Sequence, residues 1–591
     1  MNAVRIFVVI ASLALWLSSC KNTSEKPNII IVITDDQGTG DLGCTGNPYI
    51  KTPTIDKFYE EAVHFTNYHV STTCAPTRGA LMTGRHTNRL NVHHTITGRS
   101  LLFEDEKILP QILAENGYTN GMFGKWHLGD NYPFRPEDRG FHEVVRHGGG
   151  GITQGPDFWG NDYFNDTFWH NGQTEEYEGY CTDVFFSEAL DFIEENKNKP
   201  FFCYISTNAP HGPFNVPEEY FNMYKDVKGI GEKAQRFYGM ITNIDDNFKK
   251  LEDKLEALNL SDNTILIFTT DNGSSAGHKV YNAGLRGGKG SEYEGGHRVP
   301  LFIRWPDGHI SGGKDIDKLV AHFDLLPTFI DLLGIDPAKG KAMDGISLKP
   351  LLNEKDENWP ARVLYVDTQR KQNLVKYRKY SVMDENWRLV NGKELYKMDD
   401  DYGQKNNVIE EFPEIADYLA ENYEKWWRSI MDENVNEKYA YIKAGSDYEN
   451  PSRISSHDLL TGKHGRIWHQ YGAVEASQGN GRWKIEFLED GEYEFSLCRF
   501  PRESGLAIND TFPEQEKRVE LQKIMPASVK SDFEKAYLYV AGFEKSRNIE
   551  TGQKEVVFTA KIPAGKYDME AQLMDSEKRV YPVYYLYIEK L

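Results

Sequence analysis

Cys74 heads the run Cys74-Ala75-Pro76-Thr77-Arg78-Gly79-Ala80-Leu81-Met82-Thr83-Gly84-Arg85. A lone cysteine is usually a small buried apolar group, but Pro76 suits a first helical turn, where its missing N–H is no loss. The positive helix end and Arg78 then favour negative charge at the thiol, as a nucleophile requires. Asp35-Asp36 alone is an ordinary solvent-facing pair, and Asp271-Asn272-Gly273 alone an ordinary turn. Each offers oxygen ligands, a kind suited to Ca2+ or Mg2+ rather than zinc. Lys125 and His127, in Gly124-Lys125-Trp126-His127-Leu128-Gly129, stand two apart, which in an extended segment turns both to one side. His211 is set among prolines in Asn208-Ala209-Pro210-His211-Gly212-Pro213. Lys289 sits in a glycine-rich loop between Arg286 and Pro300. Such a loop suggests a phosphate cradle, but the Walker spacing and the following helix are missing. Taken one at a time, each of these is most often structural.

Short apolar runs lead into these groups. Ile29 to Thr34 ends at Asp35, Pro200 to Ser206 leads to Asn208, and Thr264 to Thr270 ends at Asp271. Continuous β-branched and aromatic runs suit strands of a parallel sheet covered on both faces. Ile108 to Asn116 and Thr182 to Asn196 read as helices between them. The alternation predicts a doubly wound, mostly parallel α/β domain over 28–359, with ligands gathering beyond the strand carboxyl ends. Short antiparallel strands and a helix over Ile415 to Met431 predict a small α+β subdomain at 360–440. Residues 441–591 read as an all-β sandwich, with a hairpin turning at Glu489-Asp490-Gly491. Its Trp468 and Tyr471 are candidate glycan contacts, although core positions are the commoner fate of such aromatics.

The run from Cys74 to Gly84 resembles the signature of the type I sulfatases, Cys-x-Pro-Ser-Arg-x-x-Leu-x-Thr-Gly, with Thr77 at the position where Ser is commonest. Asp41-Leu42-Gly43-Cys44, Thr52-Pro53-Thr54-Ile55-Asp56 and the stretch from Glu394-Leu395-Tyr396 to Asn407 also resemble that family, and the likeness runs from residue 28 to 435. The resemblance implies an alkaline phosphatase-like fold. It implies that a maturing enzyme oxidises Cys74 to formylglycine, whose hydrate attacks sulfur. Asp35, Asp36, Asp271 and Asn272, with residue 74, match the Ca2+ ligands, and Arg78 matches the residue that holds the hydrate. Lys125, His211 and Lys289 match groups that bind the sulfate oxygens, and His127 stands beside the nucleophile. On that reading Asp271 accepts the hydrate's proton and His211 is the general acid toward the leaving alcohol. The remaining hydroxyl then expels sulfate with help from His127. The expected reaction is hydrolysis of sulfate esters, exo-acting on a glycosaminoglycan, mucin or algal glycan.

Length and charge set the outer bounds. At 591 residues and 39% hydrophobic the chain supports several domains. Arg5 precedes an apolar run, Ile6 to Leu17, which is short for a membrane span and suits a signal peptide over 1–19. Leu17-Ser18-Ser19-Cys20 resembles a bacterial lipobox, which implies an acylated Cys20, a tether over 20–27 and an exported lipoprotein of the periplasm or outer membrane. The membrane is then a partner through the lipid alone. The remaining cysteines, Cys44, Cys181, Cys203 and Cys498, are too sparse for a disulfide scaffold. A net charge of −21 argues against nucleic acid, and an anionic substrate then needs cations gathered at one point. The rival readings are a phosphomonoester or phosphonate hydrolase of the same superfamily, and a lipid-anchored glycan-binding protein. Specificity is expected in the loops Arg89 to Arg99 and His147 to Trp169.

Overall fold

The β-branched runs form the middle of a ten-stranded sheet in the computed structural model, which describes residues 26–591 apart from 337–339, 356, 358, 462–464, 516, 518–521 and 529. The signal peptide and Cys20 lie outside the described residues. Asn28–Thr34 pairs in parallel with Phe201–Ser206 on one side and with Thr264–Thr270 on the other. Thr119–Gly124 and Glu143–Arg146 extend the parallel set, and antiparallel strands close its edges at Leu301–Arg304 and Thr167–His170.

Alternation along the first strand divides its side chains between two cores. Ile29, Ile31 and Ile33 pack with the helices Cys74–Thr83, Leu109–Glu115 and Leu325–Leu333. Ile30 and Val32 pack with Pro53–Glu61, Cys181–Asn196 and Glu232–Ala257 on the other face. Every residue of Asn28–Thr34 is therefore buried, as a doubly wound sheet requires.

Register decides what happens at the strand ends. Thr34 lies opposite Thr270, and Ile33 and Gly124 both lie opposite Ser206. The ends are level, so Asp35, Asp271 and Lys125 leave the sheet side by side.

Four antiparallel strands, from Leu364–Asp367 to Glu394–Lys397, carry the helix Pro413–Met431 on one face through Leu419, Tyr423, Trp427 and Ile430. A buried ion network docks this subdomain on the main sheet. The Arg388 guanidinium donates to Glu294 Oε1 at 2.8 Å and to Asn67 Oδ1 at 2.9 Å.

The last domain is a sandwich of two sheets over a shared core. The hairpin expected at Glu489-Asp490-Gly491 is not there. Trp483–Phe487 pairs with Gly565–Asp575, whereas Gly491–Cys498 pairs with Val556–Ile562 and Tyr585–Lys590 in the opposite sheet. The turn residues carry the chain across the sandwich, because both strands bury one apolar face in the same core. Leu101, Phe103 and Phe134 of the α/β domain join that core. Tyr471 is half-buried against it. Among the described residues no cysteine pair forms a disulfide, and no helix is long and apolar enough to cross a membrane.

Replacing Arg388 with Met leaves Oε1 of the buried Glu294 carboxylate without its guanidinium partner, with only Arg298 remaining on Oε2, and should cost about 3 kcal/mol in urea unfolding. An unchanged midpoint would show that the network does not dock the subdomain.

Candidate active site

Cys74 is the first residue of the helix Cys74–Thr83, entered from an extended Thr73, and it is 2% exposed. Arg78 lies one turn on, but its guanidinium does not serve the thiol. Its Nε and Nη2 donate to Asp271 Oδ2 at 3.1 and 2.7 Å, and Nη1 donates to the Ser206 hydroxyl and the Lys125 carbonyl. Burial pushes the Cys74 thiol above its ordinary value, and the pull of Lys125 and Lys289 does not overcome it. The expectation of a thiolate poised by Arg78 therefore fails: this is a neutral, buried sulfur.

Asp35, Asp36 and Asp271 surround it, all essentially inaccessible. Ligand atoms of Asp35, Cys74 and Asp271 lie within 4.8 Å of one another. The Lys125 ammonium donates to Asp35 Oδ2 at 2.6 Å, and the Lys289 ammonium donates to Asp36 Oδ2 at 2.7 Å. Asn272 Nδ2 donates to Asp36 Oδ1 at 3.0 Å, and the Asp36 N–H donates to Asp271 Oδ1 at 3.1 Å. Asp36 reaches this position through a backbone φ of 68°, in the left-handed region.

The shared environment drives the carboxyls apart. Burial, with Asp35 beside it, pushes Asp271 up to about 7. Burial also raises Asp35, against the opposing pull of Lys125. Burial acts on Asp36 too, yet Lys289 and His211 hold it well below the carboxylate range. Asp35 Oδ1 and Asn272 Oδ1 are buried with no hydrogen-bond partner. Unsatisfied oxygens beside clustered carboxyls are what a hard cation would take up, so the residues fit Ca2+ or Mg2+.

The histidines flank this cluster. Gly124-to-Gly129 is not extended: His127 sits at φ 64°, so the expectation from residue spacing does not apply. His127 Nε2 faces the Thr95 carbonyl at 2.9 Å. A carbonyl only accepts, so the proton is on Nε2 and the lone pair on Nδ1, and Nδ1 has no partner. Burial, reinforced by Lys125, keeps the ring neutral. His211 Nδ1 donates to the Gly212 carbonyl at 2.8 Å, which leaves Nε2 facing Asp36 at 3.8 Å. Burial and the nearby Lys289 hold His211 down to about 4.

Only the side chains of His211 and Lys289 keep appreciable exposure, 23% and 18%. They mark the mouth, and Cys74 marks the floor. The structure thus gathers Cys74, Arg78, Lys125, His127, His211, Lys289, Asp35, Asp36, Asp271 and Asn272 at one place. Sequence reading missed Ser206 and Thr95, which hold Arg78 and His127. Neither carries a local signal beyond its place at a strand end or in a loop.

A second close group, His69, Glu294 and His297, is already committed. Glu294 is held by Arg388 at 2.8 Å and Arg298 at 3.2 Å, and His69 Nε2 pairs with Asn67. Two buried guanidinium groups on its carboxylate leave no place for a cation.

Two family models match the chain: Sulfatase over residues 27–335, and N-sulphoglucosamine sulphohydrolase, C-terminal, over 288–428. N-acetylgalactosamine-6-sulfatase of Homo sapiens is 32% identical over 358 residues, a match spanning 56% of this chain and 66% of that protein. The solved structure of Ps i-CgsB in complex with k-i-k-neocarrahexaose is 29% identical and superposes with a TM-score of 0.62, covering 68% of this chain and 93% of that one. The phosphonate monoester hydrolase of Agrobacterium radiobacter is 20% identical with a TM-score of 0.52, covering 68% and 96%, which shows a shared fold alone. The first family match spans every residue from Asp35 to Lys289 that lines the site, and the chain belongs to the sulfatase family.

Proposed function

We propose that the protein hydrolyses sulfate esters of a sulfated glycan and releases inorganic sulfate, using formylglycine made from Cys74 and a bound Ca2+ or Mg2+. The observation that carries this is the convergence of buried carboxyls, two lysines and two histidines around Cys74 at level strand ends. A glycan substrate is supported by N-acetylgalactosamine-6-sulfatase and by the neocarrahexaose complex among the similar proteins. Exo action on that glycan belongs to the same reading. We carry the lipid-anchored, exported location and the dependence on a sulfatase-maturing enzyme as parts of the same reading. They rest on Cys20 with its preceding residues and on the Cys74 run.

When present, the hydrated aldehyde supplies a hydroxyl nucleophile and the cation lowers its pKa and draws charge from the sulfuryl oxygens. Asp35, Asp36, Asp271 and Asn272 would hold that cation. Arg78, forked on Asp271 Oδ2, fixes this carboxylate so that its other oxygen faces the site. Lys125 and Lys289 stand where charge builds on the sulfuryl group and offset it. His211 is neutral at pH 7 in the free site. An anionic group against Nε2 raises its proton affinity, and Nε2 then carries the proton given to the leaving oxygen. His127 accepts a proton at Nδ1, the one ring atom left unpaired by its bond to Thr95.

Two measurements test this. With 4-nitrophenyl sulfate and 4-nitrophenyl phosphate as matched esters, sulfate should be preferred by about 100-fold in kcat/KM, and Cys74→Ala should remove turnover while leaving the melting temperature in place. A phosphate preference would favour the phosphomonoesterase reading, and a well-folded parent that binds sulfated sugars without cleaving any would favour the glycan-binding one.

Asp271 has a folded-state pKa raised to about 7, so it costs stability as pH rises toward 7, and a cation offsets that cost once the proton has left. EDTA should therefore lower the melting temperature by about 5 °C or more at pH 8 and far less at pH 5, with Ca2+ restoring it. Equal melting temperatures with and without EDTA at pH 8 would contradict the cation site.

A further inference from the structure

The C-terminal β domain reaches the catalytic histidines through two loops. The first is the segment 94–99, whose Thr95 carbonyl holds His127 Nε2 at 2.9 Å. Two residues on, Thr97 sits at φ 61° and donates its N–H to the His457 carbonyl at 2.8 Å. A Cβ at Gly98 would lie 3.0 Å from the Asp458 carbonyl oxygen, so the loop is pressed onto this part of the β domain. His457 is buried, its Nδ1 meets the Asp458 carboxylate at 2.9 Å, and its ring lies 6.5 Å from that of His127.

The second loop, 148–157, passes over both catalytic rings. A Cβ at Gly150 would lie 2.2 Å from His127 Cε1, and one at Gly151 would lie 3.4 Å from His211 Nδ1. Only a glycine at 150 lets the backbone lie on the imidazole. The β domain ties this segment down along its length. Gly155 N–H donates to the Trp468 carbonyl at 3.0 Å, and Gln470 N–H donates to the Thr153 carbonyl at 3.1 Å. His469 Nε2 meets the Thr153 hydroxyl at 2.9 Å. The Gln470 side-chain amide donates to the carbonyls of Gln154, Asp157 and Phe158, and Arg453 donates to that of Pro156 at 2.8 Å.

We propose that the β domain is a working part of the active site, in which the His457 backbone carbonyl holds the segment behind His127 and His469 is a positioning residue for the wall over His127 and beside His211. The domain is then not a detachable glycan-binding appendage. His127 has one free lone pair, at Nδ1, and its aim depends on where Thr95 and Gly150 stand. The segments that carry them are tied to residues more than 300 positions away in sequence, Thr97 to His457 and Thr153 to His469. Small displacements of such a group cost catalysis without weakening substrate binding. The proposal rests on the sulfatase reading, since it needs His127 and His211 to act.

The test uses the full-length, matured protein and its variants His469→Ala and His469→Gln. Hydrogen–deuterium exchange is read by mass spectrometry over 94–99 and 148–157, beside kcat and KM on 4-nitrophenyl sulfate and the melting temperature. His469→Ala should speed exchange across 148–157 and lower kcat by about tenfold with KM little changed. His469→Gln, which keeps a partner for the Thr153 hydroxyl, should restore most of both. Exchange like the parent's in the His469→Ala protein, or faster exchange with kcat unchanged, would overturn the proposal. A parent inactive on every sulfate ester would instead strike at the sulfatase reading and remove the catalytic half of this one, while the exchange rates would still show whether the β domain restrains the loops.

Discussion

Everything at this site follows from burying Asp35, Asp36 and Asp271 together. A buried carboxylate without a partner is very costly, and carboxylates this close also repel one another. The fold meets the cost with cations placed against them: Lys125 on Asp35, Lys289 on Asp36 and the forked Arg78 on Asp271. Such buried networks rarely add net stability compared with an apolar core. They are the signature of a site shaped for chemistry, where local rules are broken for a purpose.

The same network explains how a chain of net charge −21 can hold an anion. The field that matters is local. Lys289 and His211 stand at the mouth and Lys125 below them, around a floor where the thiol of Cys74 is held neutral by burial. The cations that neutralise carboxyls in the free protein are the groups a sulfuryl oxygen would meet.

Much of this was legible from residue types. The continuous run from Ile29 to Thr34 marks a strand covered on both faces, and its abrupt end at Asp35 marks a strand terminus. The same holds for Thr264 to Thr270 and Asp271. What the sequence hid is whatever tertiary contacts decide. Nothing local says that Arg78 serves Asp271 rather than residue 74, that His127 takes a left-handed backbone, or that Gly491–Cys498 leaves its neighbouring strand for the opposite sheet. The loops around Thr95 and Gly150 were unreadable for the same reason. Their shape is set by the β domain, through contacts such as Thr153 with His469, 316 residues apart.

The proposed chemistry depends on the chemical state of residue 74. A thiol whose pKa is raised by burial is a poor nucleophile, and the reaction proposed above has that sulfur replaced by oxygen. Peptide mass analysis of protein that is fully active on a sulfate ester reads this directly. The aldehyde, with oxygen in place of sulfur at residue 74, is the expected species, in proportion to activity. An intact cysteine at that position in fully active enzyme would contradict it.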